Sequence, residues 1–264
     1  MALSIAPLFS GSKGNSILIG TERAKILIDA GFSCARIMAE LAKIDVHISE
    51  IKGILVTHEH TDHIAGIGSV SRKYDIPIYA NEPTWCEMAP KTGAISQKNI
   101  RVITEDDFYI EDMCIQPFEI DHDAAMPFAY TVHSGGKKIS VMTDLGQVTE
   151  RVLDRVRDSN IVLLESNHDI EMLRNGRYPQ YLKRRILSKN GHLSNDDAAK
   201  TALRLVVSGV KGILLGHLSE NNNDHTLAYE TVCGHLFENG IVAGRHVAVG
   251  IAKQEGVTGY YAAK

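Results

Sequence analysis

Gly53-Ile54-Leu55-Val56-Thr57-His58-Glu59-His60-Thr61-Asp62-His63 runs from four apolar residues straight into three imidazoles and the carboxylate of Asp62. The apolar part reads as a buried strand, and a purely structural strand end would favour apolar residues or turn formers over such a cluster. Side chains alternate with period two along an extended chain, so His58 and His60 face the same way and one ion can take both. Where the chain turns into a helix expected to start near Ile64, Asp62 and His63 swing toward a second position. One short stretch thus seeds two metal sites.

At 264 residues the chain can bury roughly three quarters of its unfolded surface, and one domain over residues 1–264 is the simplest organisation. The formal charge of −4 and pI near 6.3 give no global basic field. A histone-like binding mode is therefore excluded, and any nucleic-acid contact must rest on a local patch. Cys34, Cys86, Cys114 and Cys233 lie far apart with no Cys-x-x-Cys pair, which argues against a zinc ribbon and for reduced thiols in a cytoplasmic protein. Residues 1–9 lack a basic leader and read as a strand rather than a signal. No stretch reaches the eighteen or more apolar residues of a membrane span, so no membrane partner is expected.

In order, strands are expected over residues 3–9, 15–19 and 25–28, with Ser33 capping a helix that carries Ile37, Leu41 and Ile44 on one face. The loop Ser10-Gly11-Ser12-Lys13-Gly14-Asn15 can offer N–H groups to an anion or simply join two strands. After the His-rich string come a helix over 64–74, a strand over 76–80 and a helix from Pro83 carrying Trp85. Residues 100–103, 108–110 and 114–120 read as strands of a second sheet. A helix over 149–158 precedes the buried strand 161–164, which ends at Glu165-Ser166-Asn167-His168-Asp169. Ser194 is placed to cap the next helix, with Asp197 at the capping-box position. Lys211-Gly212-Ile213-Leu214-Leu215-Gly216-His217 nearly repeats Lys52-Gly53-Ile54-Leu55-Val56-Thr57-His58. That echo fits a sandwich of two related halves, each delivering a histidine to a shared edge. A helix over 224–238 and closing strands over 246–252 and 257–260 complete the chain.

The string His-x-His-x-Asp-His after a strand and before a helix resembles the signature of the metallo-β-lactamase-fold hydrolases. That resemblance implies an α/β fold of four layers, an αββα sandwich, with a dinuclear site at one edge of its paired sheets; Glu59 is not a ligand in the pattern. His122, with Pro127 and Tyr130 after it, resembles the third histidine of phosphodiesterase branches. Asp144, just past the apolar run 139–142, resembles the aspartate that bridges both metals, and His217 with Leu218-Ser219 resembles the last histidine. The implied first ion takes His58, His60 and His122, and the second takes Asp62, His63 and His217, with Asp144 between them and Asp62 counted also among the catalytic groups. Imidazole and carboxylate without thiolate suit two divalent ions, Zn²⁺, Mn²⁺ or Fe²⁺. Two such ions about 3.5–4 Å apart can hold a bridging hydroxide and clamp a phosphodiester for in-line attack.

Glu165, Gly191-His192-Leu193-Ser194 and His217-Leu218-Ser219 resemble, in order, elements that RNA-processing phosphodiesterases of this fold place around the scissile phosphate. On that likeness Glu165 orients His192, His192 stabilises the phosphate or protonates the departing oxygen, and Ser194 and Ser219 contact substrate. Arg174, Arg177, Lys183, Arg184 and Arg185, with Tyr178 and Tyr181 between them, form either a phosphate-backbone surface or a solvated helix face. Ser10-Gly11-Ser12-Lys13-Gly14-Asn15, Glu165-Ser166-Asn167-His168-Asp169, Arg177-Tyr178-Pro179 and Lys183-Arg184-Arg185-Ile186-Leu187-Ser188 together resemble the YycJ group, also called WalJ. The resemblance implies a stand-alone nuclease with 5′-to-3′ exonuclease action on double-stranded DNA as its nucleic-acid partner. Too few residues separate Asp144 from His217 for the inserted domain of the β-CASP ribonucleases, which makes an RNA-processing nuclease the weaker expectation. A small-molecule phosphodiesterase would use the same ligands without the basic segment. A binding protein with a vestigial site is opposed by seven competent residues at all seven ligand positions. Oligomeric state is left open.

Overall fold

The computed structural model describes residues 3–264, so Met1 and Ala2, the start of the expected first strand, lie outside the described residues. The first half of the chain supplies β1 (Ser4–Gly11), β2 (Gly14–Gly20), β3 (Lys25–Ile28), β4 (Ile51–Leu55), β5 (Ile78–Ala80) and β6 (Ile100–Val102). The second supplies β7 (Phe108–Ile110), β8 (Met113–Glu119), β9 (Phe128–Ser134), β10 (Lys137–Met142), β11 (Ile161–Glu165), β12 (Gly212–Gly216) and β13 (Ala248–Ile251). A last strand, β14 (Tyr261–Ala262), returns to β1, so the two sheets run β14-β1-β2-β3-β4-β5-β6 and β13-β12-β11-β10-β9-β8-β7.

Period-two alternation sorts the apolar side chains into layers. Ile17, Ile19, Ile26 and Ile28 meet Tyr130, Val141 and Leu163 between the sheets, while Leu18 and Leu27 face outward. The outer face of the first sheet is covered by α1 (Cys34–Ala42), α3 (Ile67–Tyr74) and α4 (Glu82–Thr92) through Ile37, Leu41, Val70, Trp85 and Met88. The outer face of the second is covered by α5 (Glu150–Val156), α8 (Asn195–Val207) and α9 (His225–Glu238) through Val152, Leu205 and Val232. The result is the four-layer αββα sandwich. Burying each Leu or Ile contributes roughly 1.5–3 kcal/mol. Three apolar layers of this size supply the stability that lets one edge hold a buried polar cluster.

Three local expectations are revised. Residues 100–103 do not join the second sheet: β6 lies parallel beside β5, with Ile78 opposite Ile100. All three residues of β6 are exposed at a sheet edge, so no alternation marked which sheet they belong to. The helix over 64–74 is two helices, α2 (Thr61–Ile64) and α3, because the chain bends at Ala65-Gly66. The basic residues between 174 and 185 fall on two short helices and the turn between them, α6 (Ile170–Asn175) and α7 (Gln180–Ile186), split at Gly176 and Pro179. The final strand falls at Tyr261–Ala262 rather than over 257–260, pairing with Ser4 and Ile5. Among the described residues all four cysteines are free, and no helix is long and apolar enough to cross a membrane.

Candidate metal centre

β1, β3, β4, β8, β10, β11 and β12 all end at the same edge, and the polar residues that follow them converge there. His58 to His63 follow β4, His122 follows β8, Asp144 follows β10, Glu165 ends β11 and His217 follows β12. Potential ligand atoms of His58, His60 and His122 lie within 4.8 Å of one another, as do those of Asp62, His63 and His217. Asp144 stands between the two groups. Its Oδ2 is 3.3 Å from His63 Nε2 and its Oδ1 is 4.0 Å from His122 Nε2. All seven expected ligand positions are thus brought together.

Four of the five candidate imidazoles, His58, His63, His122 and His217, are oriented by a contact on the nitrogen facing away from the cluster. His63 Nδ1 lies 2.7 Å from Asp29 Oδ2, and His122 Nδ1 donates to the Gly191 carbonyl at 3.1 Å. His217 Nδ1 lies 2.7 Å from Glu165 Oε1. The Thr57 hydroxyl donates to Asp29 at 2.8 Å and so accepts from His58 Nδ1 at 3.0 Å. These bonds commit Nδ1 and turn Nε2 of all four rings inward, the orientation that metal-ligating histidines require once an ion displaces any proton there. The inward atoms are buried without protein partners: His122 Nε2, His217 Nε2 and Asp144 Oδ2 make no hydrogen bond. His58 Nε2, an acceptor because Nδ1 is committed to Thr57, lies 2.9 Å from His60 Nδ1, close enough for one cation to take both rings. Buried polar atoms are nearly always partnered, so this donor set fits divalent ions.

Electrostatics point the same way. Burial works against a charged imidazole at His63 and His217, yet Asp144 and Asp62 outweigh it, raising His63 well above the ordinary histidine value and pushing His217 up to about 10. Burial instead wins at His58, which is held well below that value with His63 and His122 adding repulsion. Burial would also raise Asp62, but His63 and His217 overcome it and keep its carboxyl far below the usual range.

Backbone geometry at this edge is unusual. Asp29, Asp144 and His217 adopt φ of 62°, 59° and 52°. Left-handed conformations cost non-glycine residues free energy and cluster at functional sites, and here each one turns a side chain into the site at a strand end. Gly31 is needed for a different reason. A Cβ there would lie 1.7 Å from the Asp62 carbonyl, so only glycine lets the turn bearing Asp62 pack against the end of β3.

Residues 24–217 match the family model described as the beta-lactamase superfamily domain. Over 245 residues the chain is 42% identical to exodeoxyribonuclease YycJ of Bacillus anthracis, covering 92% of this chain and 93% of that one. The chain belongs to the metallo-β-lactamase superfamily, in the YycJ/WalJ group. It is 40% identical over 241 residues to exodeoxyribonuclease WalJ of Streptococcus pneumoniae, covering 90% and 89%. The fold is shared with YhfI from Bacillus subtilis at a TM-score of 0.72, 15% identity and coverage of 97% and 99%. It is also shared with zinc-bound PqqB from Methylobacterium extorquens at a TM-score of 0.69, 13% identity and the same coverage. Like its superfamily, the chain is a metal-dependent hydrolase.

Beyond the ligand candidates, the same edge carries Glu165 and His192. Glu165 is fully buried, and its Oε1 receives His192 Nδ1 at 2.9 Å as well as His217. Its Oε2 accepts from the Leu145 and Leu193 amides at 3.0 and 3.1 Å. Burial alone would raise this carboxyl, but His192 and His217 hold it well below the usual range. Glu59 is structural, its Oε1 accepting from the Ala125 amide at 2.8 Å.

The expected substrate contacts divide. Ser219 and Arg185 line a cavity of about 160 Å³ beside His192. Ser194 does not: its buried hydroxyl caps α8, accepting from the Asp197 amide at 3.1 Å and donating to the Asp197 carboxylate at 2.7 Å. Lys183 is buried and its Nζ donates to the Arg174 carbonyl at 2.6 Å, which closes the turn between α6 and α7 and withdraws the ammonium from any surface. Arg174 pairs with Glu171 in solvent, and Arg177 and Arg184 are exposed.

Sequence reasoning missed Asp29, Thr57, Asn15 and the Gly191 carbonyl. Asn15 Nδ2 reaches His63 Nε2 at 3.0 Å and Asp62 Oδ2 at 3.4 Å, tying the β1–β2 hairpin to the centre. The signal available was Asp29-Ala30-Gly31, a carboxylate at a strand end with a glycine two residues on, like Asp144-Leu145-Gly146.

Proposed function

We propose that the chain is a two-metal phosphodiesterase that cleaves nucleic acid, and that it acts as a 5′-to-3′ exonuclease on double-stranded DNA. The observation that carries the reading is the pairing of seven converging metal-ligand candidates with a Glu165–His192 couple at 2.9 Å beside them. The curated relatives, named as exodeoxyribonucleases and alike over nine tenths of the chain, support DNA as the substrate.

His58, His60 and His122 would hold one ion, Asp62, His63 and His217 the other, and Asp144 would face both. When bound, Zn²⁺, Mn²⁺ or Fe²⁺ supplies a water acidified to near neutrality and polarises the phosphoryl oxygens. The chain's own residues do the rest. Asp29 and Glu165 keep the imidazoles in their ligating tautomers. Glu165 accepts from His192 Nδ1 and so steadies an imidazolium whose Nε2 proton passes to the departing sugar oxygen as its bond to phosphorus breaks. Ser219 and Arg185 line the adjoining cavity and would meet phosphate oxygens, with Arg177 and Arg184 further out along the duplex.

The test is digestion of linear duplex DNA labelled at either end with Mn²⁺ added, beside single-stranded DNA, RNA and a chromogenic phosphodiester, with Asp144→Ala as control. Stepwise loss from the 5′ end that disappears in the variant is expected. Hydrolysis of the chromogenic diester alone would overturn the nuclease reading in favour of a small-molecule phosphodiesterase.

A further inference from the structure

The cavity beside His192 is lined by groups that no metal-ligand role uses. Ser12 from the β1–β2 hairpin, Ser219 after β12, and Tyr178 and Arg185 from α7 and the turn before it come from three separate parts of the chain and meet around about 160 Å³. That space has room for a nucleobase but not for a run of stacked bases. Leu182 and Ile186 give it an apolar wall, and His192 and Asp123 join it to the metal edge.

Two of these side chains are fixed before any ligand arrives. The Tyr178 hydroxyl accepts from Asn221 Nδ2 at 3.1 Å, anchoring the ring from outside, and Lys183 pins the turn that carries it. Arg185 is held at the lip through Nε, which donates to Asp123 Oδ2. Among the described residues its two terminal nitrogens bond to no acceptor, so the half of the guanidinium suited to bidentate phosphate binding stays free. Asp123 follows the ligand candidate His122 directly, which sets Arg185 at a defined reach from the centre. An aromatic face for a base and a guanidinium edge for a phosphate in one small chamber are the components of a nucleotide site.

We infer that this chamber is a subsite for a single terminal nucleotide, its base against Tyr178 and its phosphate on Arg185, and that filling it confines cleavage to strand ends. The inference rests on the nuclease reading for its consequence but not for its binding claim. Asp123 acts as a positioning residue for Arg185.

The experiment is titration calorimetry of the metal-loaded full-length protein with thymidine 5′-monophosphate, thymidine 3′-monophosphate and thymidine, in the wild type, Tyr178→Ala, Arg185→Ala and Asp123→Asn. The 5′-monophosphate should bind at least tenfold more weakly to Arg185→Ala than to the wild type. Tyr178→Ala should weaken nucleotide and nucleoside alike. Asp123→Asn should weaken the nucleotide while leaving thymidine unchanged, a split that simple loosening of the fold would not produce. Circular dichroism and metal content confirm that each variant is folded and loaded. Affinities within twofold of wild type in both Tyr178→Ala and Arg185→Ala, or no binding of any probe to the wild type, would overturn the subsite. So would cutting of covalently closed circular duplex as fast as linear duplex. If the nucleotide binds as described but no DNA is cut, the subsite stands and the nuclease reading falls.

Discussion

Two buried carboxylates, one in each half of the sandwich, do similar jobs under opposite electrostatic conditions. Asp29, at the end of β3, backs His63 and takes the Thr57 amide and hydroxyl. Glu165, at the end of β11, backs both His217 and His192 and takes two backbone amides. Burial pushes the Asp29 carboxyl above its ordinary value, and the single imidazole and Thr57 do not offset it. Two imidazoles reverse the balance at Glu165 and bring it below. The difference teaches that the number of imidazoles a buried carboxylate backs decides which way its carboxyl shifts. Glu165 links the ligand candidate His217 to His192, the proposed proton donor, whereas Asp29 backs the ligand candidate His63 alone.

Glu165→Gln should therefore have the largest effect. It loosens His217 and His192 together, so metal affinity should fall about 10- to 100-fold and turnover at saturating metal by about 10²–10⁴-fold. Asp29→Asn should cost a similar factor in metal affinity, about 10- to 100-fold, and recover most of its turnover when metal is added in excess. Metal titration followed by single-turnover cleavage separates the two. Equal residual turnover at saturating metal would erase the asymmetry between the carboxylates.

The same contrast explains what could be read from the chain. In the first half the ligand candidates sit in one string, so His58, His60, Asp62 and His63 are visible without tertiary structure, and the apolar run before them gives the strand. In the second half Asp144, Glu165, His192 and His217 each leave a different element and are only isolated polar residues until the fold assembles them. They were legible through a family resemblance, helped by the echo of β4 in β12, now seen in opposite sheets. Asp29 and Asn15 were not legible, because their role depends on a hairpin and a strand end closing over the string. Lys183 and Ser194 show the converse. Residue type suggested substrate contact, but a buried turn and a helix cap consume their donors.

Proton release should sharpen the picture next. In the metal-free protein His217 has a value raised to about 10 and His63 is also raised, so both hold protons at neutral pH that an ion must displace. Metal affinity should rise with pH between about 7 and 9, by up to about two logarithmic units per pH unit, one for each displaced proton. The sign for folding is opposite. Histidines raised in the folded state stabilise the metal-free protein fully below their unfolded value near 6.5, and that contribution disappears as pH climbs through about 10. Calorimetry in buffers of different ionisation enthalpy counts the protons. Metal binding without proton release would show that the imidazoles are neutral beforehand.

The smallest expected effect concerns the outer cations. Arg184 is exposed on α7 and is not among the residues lining the cavity beside His192, whereas Arg185, one residue on, lines it. If the duplex runs over this face, Arg184→Ala removes one phosphate contact and reduces the slope of log binding constant against log salt by about 1, with a uniform loss across DNA sequences. Arg185→Ala should instead act on the terminal nucleotide and depend on the end structure of the substrate. Neighbouring arginines on one short helix would then separate long-range attraction from end recognition. Identical salt slopes for Arg184→Ala and the wild type would move the duplex path off α7 while leaving the metal edge and its two carboxylates untouched.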